Sequence, residues 1–172
     1  METFEDLIKF EKEKHETFFL PFYKKKGWQV LQDNVGFNAT WDVKLSGNWN
    51  GGAYTVDEKA RKRSYGDFLV EIMQDLKTGN LGWLYKPKDY YFYAIWADED
   101  LNGEPIKLYS VNANKLKEFM AENWENLFSG NKIKISRKGW GTTLFALVLW
   151  EDLLFTGVAK DLSKDLTANV WN

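Results

Sequence analysis

Asp57 and Lys59, an acid and a lysine two positions apart, have the residue types and spacing best suited to chemistry in this chain. They lie in residues 53–59, a run with the alternation of a β-strand, so both side chains are predicted to point to one face. A second acid, Asp42, belongs to the preceding predicted strand, residues 39–45. The connection is short enough for the two strands to be neighbours. We therefore expect all three side chains to share one sheet surface.

Two carboxylates on one surface can hold a divalent cation. Mg²⁺ prefers oxygen ligands and commonly takes one or two carboxylates plus waters. A cation held in this way neutralises charge on a phosphate and activates a water, as phosphodiester hydrolysis requires. Asp42 and Asp57 are the candidate ligands, and Lys59 is the candidate partner of the water or phosphate. Because two neighbouring acids repel each other, Asp57→Asn is expected to leave folding intact.

The acid-x-lysine pattern is not specific by itself, because it occurs three times in the chain. The three triplets are Asp42-x-Lys44, Asp57-x-Lys59 and Asp75-x-Lys77. The second is preferred because it ends a predicted strand, follows a strand acid and precedes a glycine-containing turn. The alternative is an ordinary solvated ion pair on an open sheet face, which contributes little to stability. Spacing alone favours that alternative.

Length and composition predict one folded domain over residues 1–172. Of these residues 44% are hydrophobic and 17% aromatic, which is enough apolar material for a core. The net charge is −2, so no global field attracts nucleic acid, and any DNA contact must come from local basic patches. No stretch approaches the ~20 apolar residues that span a bilayer. We expect no membrane association and a cytoplasmic location.

Cysteine is absent and histidine occurs once, at His15. Thiolate zinc sites, disulfides and a cysteine nucleophile are therefore excluded, and a single imidazole cannot form a histidine metal cluster. His15 lies in a stretch rich in lysine and glutamate, and we expect it to be a solvated helix residue. Chemistry must rest on carboxylates, lysines or hydroxyls.

The elements that must position the candidate residues begin with a helix. Apolar residues spaced by three and four predict an amphipathic helix over 3–26, restarted or kinked at Pro21 and ended at Gly27. Period-two runs and turn residues predict the strands that follow. They are expected at 39–45, 53–59, 67–73, 90–96, 106–111, 132–136 and 143–150, with a helix at 113–127 and a short helical turn at 152–154. This order predicts an α/β fold with a mixed central β-sheet flanked by helices.

With these elements in place, the first half of the chain resembles the PD-(D/E)XK, or restriction-endonuclease-like, nuclease superfamily. The resemblance rests on a helix carrying Glu16, the segment 24–31, Asp42 on one strand and the run 57–59 on the next. It implies a restriction-endonuclease-like core. In that superfamily the two strand acids bind Mg²⁺ and the lysine assists the attacking water or the phosphate. The resemblance therefore implies these roles for Asp42, Asp57 and Lys59.

Two more acids enter through the resemblance. Many members add a glutamate from the first helix, which implies a catalytic role for Glu16, although Glu11 and Glu13 share that helix. The continuation over 67–73, Gly82-Trp83 and 89–93 is similar to a subgroup often found in phage and mobile-element genomes. In that subgroup an acid of the third strand lies near the metal. This implies Glu71 as a further catalytic residue and metal ligand.

Two positions depart from the usual pattern of the superfamily. Asp42 follows Trp41 instead of a proline, and the second acid is Asp57 instead of the commoner glutamate. Both variants are tolerated there. The resemblance thus implies a Mg²⁺-dependent nuclease acting on DNA, with Mn²⁺ as a possible substitute, and a homodimer where both strands are cut. A non-catalytic, nuclease-like module that binds DNA or another protein stays open as the alternative.

The basic residues Arg61, Lys62 and Arg63 follow the candidate strand and are predicted to contact phosphates. A second basic group at 132–138 is the next candidate. The alternative for both is a solvated loop and a lysine-rich edge strand that resists aggregation. Trp49 and Trp140, in glycine-rich turns, are candidates for stacking on bases.

Overall fold

A computed structural model provides the structure of the chain. It describes residues 4–35, 40–47, 52–97, 100–138 and 141–167. The chain divides into two compact units. Unit 1 comprises residues 1–64, 88–111 and 161–172, and unit 2 comprises residues 65–87 and 112–160. The organisation of residues 1–172 as one folding domain stays a prediction.

The strands and helices within these ranges are numbered in chain order. The strands are β1 (Gln29–Asp33), β2 (Val43–Ser46), β3 (Ala53–Arg61), β4 (Asp67–Asp75), β5 (Asn80–Leu81), β6 (Tyr90–Ile95), β7 (Lys107–Asn112), β8 (Ile133–Lys138), β9 (Gly141–Leu149) and β10 (Ala159–Asp161). The helices are α1 (Phe4–Lys14), α2 (Leu20–Lys25), α3 (Ala113–Glu122), α4 (Trp124–Ser129), α5 (Trp150–Phe155) and α6 (Lys164–Thr167).

The N-terminal helical segment changes its hydrogen bonding halfway. α1 passes into a π-helical turn, His15–Phe19, and α2 follows directly. The N–H of Leu20 donates to the carbonyl of the first residue of the turn, which is the wider π spacing. Pro21 comes next, near the start of α2, and it has no N–H to donate. The predicted restart of the helix near Pro21 is therefore observed as a π-helical turn.

Gly27 ends this segment as predicted. Its φ of 70° lies in the left-handed region, which glycine adopts without steric cost. Its N–H donates to the Lys24 carbonyl at 3.0 Å, and the N–H of Trp28 donates to the Tyr23 carbonyl at 2.9 Å. These two bonds form a Schellman cap and satisfy carbonyls at the end of the helix. The chain can then turn directly into β1.

The sheet of unit 1 has the strand order β1-β2-β3-β6-β7 and is mixed. β2 is antiparallel to both β1 and β3, whereas β3 and β6 are parallel. In the parallel pair, Asp57 lies opposite Tyr91 and Lys59 lies opposite Tyr93. The register therefore places the candidate acid and lysine beside two tyrosines on one sheet face.

The opposite face of this sheet carries the hydrophobic core. Alternation along β3 buries Val56 and Ala60 on that face, together with side chains from the N-terminal helical segment and α6. The principal members are Phe10, Phe19, Phe22, Tyr23, Val43, Leu45, Val56, Ala60, Phe92, Ala94, Trp96, Leu108, Leu162 and Leu166. Because one face of β3 packs against helices, its alternate residues, Asp57 and Lys59, must point the other way.

Unit 2 contains a second sheet with the order β5-β4-β9-β8, and its three strand pairings are antiparallel. On β4 the buried residue Phe68 contacts the rings of Trp83 and Trp150, with centroid distances of 5.7 and 5.0 Å. The single helix predicted over 113–127 is wrong. Asn123 leaves helical geometry, with φ −105° and ψ 9°, and separates α3 from α4.

The predicted mixed α/β architecture, with a mixed sheet flanked by helices, is confirmed. β5, β10 and α6 lack a clear sequence pattern, because each is only two to four residues long. In the ranges that the structure describes, no helix is long and apolar enough to cross a membrane.

Candidate active site

Asp42 lies one residue before β2, not inside a strand as predicted, yet it still joins the sheet. Its backbone N–H donates to the Val56 carbonyl at 2.9 Å, which continues the pairing with β3. Its carboxylate oxygen Oδ2 accepts the backbone N–H of Glu58 at 2.6 Å. The Asp42 carboxylate therefore lies against the peptide group that joins Asp57 to Glu58.

Asp57 is buried and is held by two lysines. Lys59 Nζ donates to Oδ1 at 2.6 Å, and Lys88 Nζ donates to Oδ2. The Lys59 side chain is 15% exposed, whereas the Lys88 side chain is 0% exposed. The Lys88 ammonium also lies 4.8 Å from the centroid of the Tyr91 ring. Lys59 is thus the lysine at the solvent side of this carboxylate.

The pKa values of the two aspartates are shifted in opposite directions. Burial, and then the negative charge of Asp57, raise the pKa of Asp42 from 3.8 to about 7. Burial alone would also raise the pKa of Asp57, but Lys59 and Lys88 lower it below its ordinary value. Burial lowers the pKa of Lys88, and Asp57 opposes that effect. At neutral pH, Asp57 is therefore a carboxylate between two ammonium groups, and Asp42 is near its midpoint.

Lys59 remains charged throughout the neutral range. Burial alone would lower its pKa, but Asp57 and then Glu11 raise it above the ordinary value of 10.5. An ammonium with a raised pKa donates hydrogen bonds and supplies positive charge, and it does not accept a proton near neutral pH. Lys59 can therefore stabilise a phosphate or orient a water, but it cannot act as a general base.

Asp42 and Asp57 supply oxygen donors of the type that Mg²⁺ takes. In the described part of the chain, no group of three or more His, Cys, Asp or Glu side chains could hold a metal ion. Asp42 and Asp57 supply two carboxylates, the number that Mg²⁺ commonly takes while waters and substrate phosphates complete its shell. A cation binding at Asp57 must compete with an ammonium, and Lys59 is the one with access to solvent.

Glu11, another acid of the N-terminal helical segment, bonds to a β3 side chain on this face of the sheet. Glu16 is exposed on the π-helical turn, and its predicted catalytic role stays a prediction. Glu11 Oε1 instead accepts from Arg61 Nη1 at 3.1 Å. The π-helical turn explains the difference, because it changes which side chains after Lys14 face the sheet.

Glu71 lies on β4 in unit 2. Its carboxylate oxygen Oε1 accepts the backbone N–H of Trp83 at 3.3 Å, within the Gly82-Trp83 pair that the sequence singled out. A Cβ added to Gly82 would lie 2.3 Å from the Glu71 carbonyl oxygen, so only glycine fits this close approach. The proposed role of Glu71 as a metal ligand stays a prediction.

His15 is buried, so its prediction as a solvated helix residue is wrong. Its side chain is 4% exposed and bridges two carboxylates. Nδ1 lies 2.7 Å from Glu58 Oε2, and Nε2 lies 3.1 Å from Asp33 Oδ2. The sequence carried a signal for this burial, because His15 precedes Phe19 by one helical repeat and so lies on the apolar stripe.

Lys88 is the residue of the site that sequence reasoning missed. It lies between Pro87 and Asp89, just before β6, and no pattern there distinguishes a buried lysine from a solvated one. Its proximity to Asp57 comes from the parallel pairing of β3 with β6.

Arg61, the last residue of β3, differs in its surroundings from the two basic residues that follow it. Arg61 is engaged on the protein itself, because its guanidinium donates to Glu11 and to the Tyr93 hydroxyl at 3.1 Å each. Lys62 Nζ lies 5.0 Å from the centroid of the Phe10 ring, and Arg63 is exposed. Because the Arg61 guanidinium is bonded to Glu11 and Tyr93, the predicted phosphate contacts are tested at Lys62 and Arg63.

The second basic group, at 132–138, starts at Lys132 and continues along β8, the edge strand of the sheet in unit 2. The side chains of Arg137 and Lys138, together with Trp49 and Trp140, lie outside the described residues. Their predicted contacts with nucleic acid stay predictions.

Replacing Lys62 and Arg63 together by alanine is expected to weaken DNA binding and reduce its salt dependence. Each lost phosphate contact lowers the slope of log K against log salt by about 0.9, so the pair should remove roughly two. Fluorescence anisotropy with labelled DNA across a salt series measures this slope. Lys12→Ala with Lys24→Ala, two exposed lysines of the N-terminal helices, is the charge-matched control. Equal slopes in the two double variants would contradict the assignment.

Comparison with known proteins finds no matching family model, no significantly similar curated protein and no significantly similar solved structure.

Proposed function

We propose that the chain is a Mg²⁺-dependent nuclease with a restriction-endonuclease-like core that hydrolyses phosphodiester bonds in DNA. One observation carries this proposal: the Asp42 carboxylate lies against the peptide between Asp57 and Glu58, on the sheet face that Lys59 shares. Two acids and a lysine from adjacent strands are thereby brought together. Electrostatics support the proposal further, because the charge of Asp57 disfavours the ionised form of Asp42, and a cation between them relieves that repulsion.

In this mechanism Asp42 and Asp57 hold the metal ion, for which Mn²⁺ can substitute. When bound, the ion neutralises charge on the phosphate and lowers the pKa of the attacking water. Lys59 moves from Asp57 Oδ1 toward the phosphate or the water, and its positive charge stabilises the developing negative charge. Lys88, which is buried, keeps its hydrogen bond to Asp57 Oδ2 and holds the carboxylate in orientation.

The test is incubation of the protein with plasmid, linear and branched DNA in Mg²⁺ or Mn²⁺, with EDTA as the control. We expect cleavage that EDTA abolishes. Lys59→Ala should remove cleavage but retain metal binding by calorimetry, because the ammonium acts on the water or phosphate and not on the cation. A wild type that neither binds Mg²⁺ or Mn²⁺ nor cuts any of these substrates would overturn the proposal.

A second candidate function follows from the burial and the lysine pairing of Asp57. Both of its oxygens accept from lysines, and its side chain is only 9% exposed, as expected for a structural buried ion pair. A non-catalytic module that binds DNA or another protein would use the acids in this way. Its DNA affinity, measured by anisotropy, would be unchanged by EDTA and by Lys59→Ala, and no substrate would be cut.

The proposed nuclease includes a homodimer as one way to cut both strands. Sedimentation velocity with and without DNA tests this part separately. The cytoplasmic location and the resemblance to phage and mobile-element nucleases stay predictions from the sequence.

A further inference from the structure

The face of β3 opposite Asp57 and Lys59 carries a buried carboxylate with hydrogen-bond partners from two segments. Glu58 lies on the core side of the sheet and is only 6% exposed, although its side chain is a carboxylate. Its Oε1 accepts from the Tyr23 hydroxyl at 2.7 Å, and its Oε2 lies 2.7 Å from His15 Nδ1. The other ring nitrogen of His15 reaches Asp33 on β1. Residues of the π-helical turn and α2 thus bond directly to one residue of β3, and β1 joins the network through His15.

The side chains of this network are paired by charge as well as by hydrogen bonds. A buried carboxylate is costly unless it is paired and hydrogen-bonded, so Glu58 depends on His15 and Tyr23. Burial alone would lower the pKa of His15, but Glu58 and Asp33 raise it from 6.5 to about 9. At neutral pH both ring nitrogens therefore carry protons and donate, one to each carboxylate.

Glu58 also connects this network to the candidate active site through its backbone. Its N–H is the donor that holds Asp42 Oδ2 at 2.6 Å. Its sequence neighbours Asp57 and Lys59 point to the opposite face of the sheet. A shift of β3 at this residue would therefore move the N–H donor that holds Asp42, together with the Cα atoms of Asp57 and Lys59.

We propose that His15, Glu58 and Tyr23 form a positioning network that holds β3 where Asp42 and Asp57 meet, acting from the other side of the sheet. These residues touch neither substrate nor metal and act only through the Glu58 backbone. The π-helical turn is consistent with this role, because single π turns inside helices occur frequently at functional sites. The consequence for metal affinity rests on the proposed function, but the positioning of Asp42 does not.

The experiment compares His15→Gln and Tyr23→Phe with wild type by ¹⁵N NMR of the metal-free protein and by Mg²⁺ titration. The amide signal of Glu58 reports the hydrogen bond to Asp42, because amides bonded to carboxylates have distinctive proton shifts. We expect this signal to move strongly in His15→Gln and less in Tyr23→Phe. Mg²⁺ affinity of the folded protein should fall about tenfold or more in His15→Gln. Mutation of residues that hold metal ligands in place typically has an effect of this size.

Leu108→Ala is the control for stability, because Leu108 is fully buried in the same core but lies outside the network. It should lower the melting temperature while leaving the Glu58 amide signal and the Mg²⁺ affinity of the folded protein unchanged. An unmoved Glu58 signal in His15→Gln, or an equal movement in Leu108→Ala, would overturn the positioning role. A wild type that does not bind Mg²⁺ would instead overturn the proposed function, and the NMR comparison would still decide the positioning.

Discussion

Asp57→Asn is expected to lower the free energy of unfolding by about 3–5 kcal/mol at pH 7, as removal of one partner from a buried ion pair does. The variant leaves the fully buried Lys88 ammonium without its counter-charge. The pKa of Asp57 is held below its ordinary value, so this stabilisation is present above pH 3.8 and is lost as the pH falls further. Urea denaturation of variant and wild type at pH 7 and below pH 3 measures their stability difference with and without this contribution.

This result would correct the expectation that Asp57→Asn leaves folding intact. That expectation treated Asp57 as a member of an acid cluster, whereas the structure pairs it with Lys59 and Lys88.

The double variant Asp57→Asn with Lys88→Met separates folding from catalysis. Removing the buried ammonium should restore part of the lost stability, because no uncompensated buried charge remains. Cleavage should stay absent, since the metal ligand is still missing. Asp89→Asn is the matched control, because Asp89 is exposed and asparagine can still accept from Thr55. A loss of stability as large in Asp89→Asn as in Asp57→Asn would contradict this account.

Asp42→Asn is expected to have the opposite effect on stability. Its pKa in the folded protein is about 7, above the ordinary 3.8, so wild type loses stability as the pH rises between these values. Above pH 7 the loss amounts to at most about 4 kcal/mol, since one pKa unit corresponds to about 1.4 kcal/mol. Asparagine cannot ionise, and its side-chain oxygen can still accept the Glu58 N–H.

Thermal or urea unfolding of metal-free protein at pH 4 and pH 8 tests this prediction. Asp42→Asn should match wild type at pH 4 and exceed it at pH 8. Mg²⁺ should then raise the stability of wild type at pH 8 but not that of Asp42→Asn, because a cation relieves the repulsion that the variant already lacks. A variant less stable than wild type at pH 8 would contradict the assigned electrostatics of Asp42.

The two aspartates illustrate the limits of sequence reasoning at this site. Alternation along β3 was enough to place Asp57 and Lys59 on one face, because a strand side chain has only two directions available. The same alternation could not reveal that the two aspartates differ in pKa. That difference depends on burial and on two lysines beside Asp57, of which Lys59 is near in sequence and Lys88 lies 31 positions away.

Sequence and structure also disagree about the helix. Its length, its end at Gly27 and its apolar stripe follow from local propensity and capping, and these are properties of neighbouring residues. The choice of Glu16 as the helix acid assumed regular α-helical geometry, whereas the π-helical turn leaves Glu16 exposed and His15 buried. Spacing places His15 on the apolar stripe, but nothing in the local sequence identifies Glu58 and Asp33 as the partners of its imidazole.

By itself the sequence determined the alternation of strands, the helix boundaries near Gly27 and the shared face of Asp57 and Lys59. These features depend on residues within a few positions of one another, where backbone geometry leaves few choices. Only the tertiary structure decided that Lys88 completes the pairing of Asp57 and that His15 supports Glu58, which lies 43 positions away. Such contacts arise because folding removes charged groups from water, and each must then find a partner wherever the packed chain provides one.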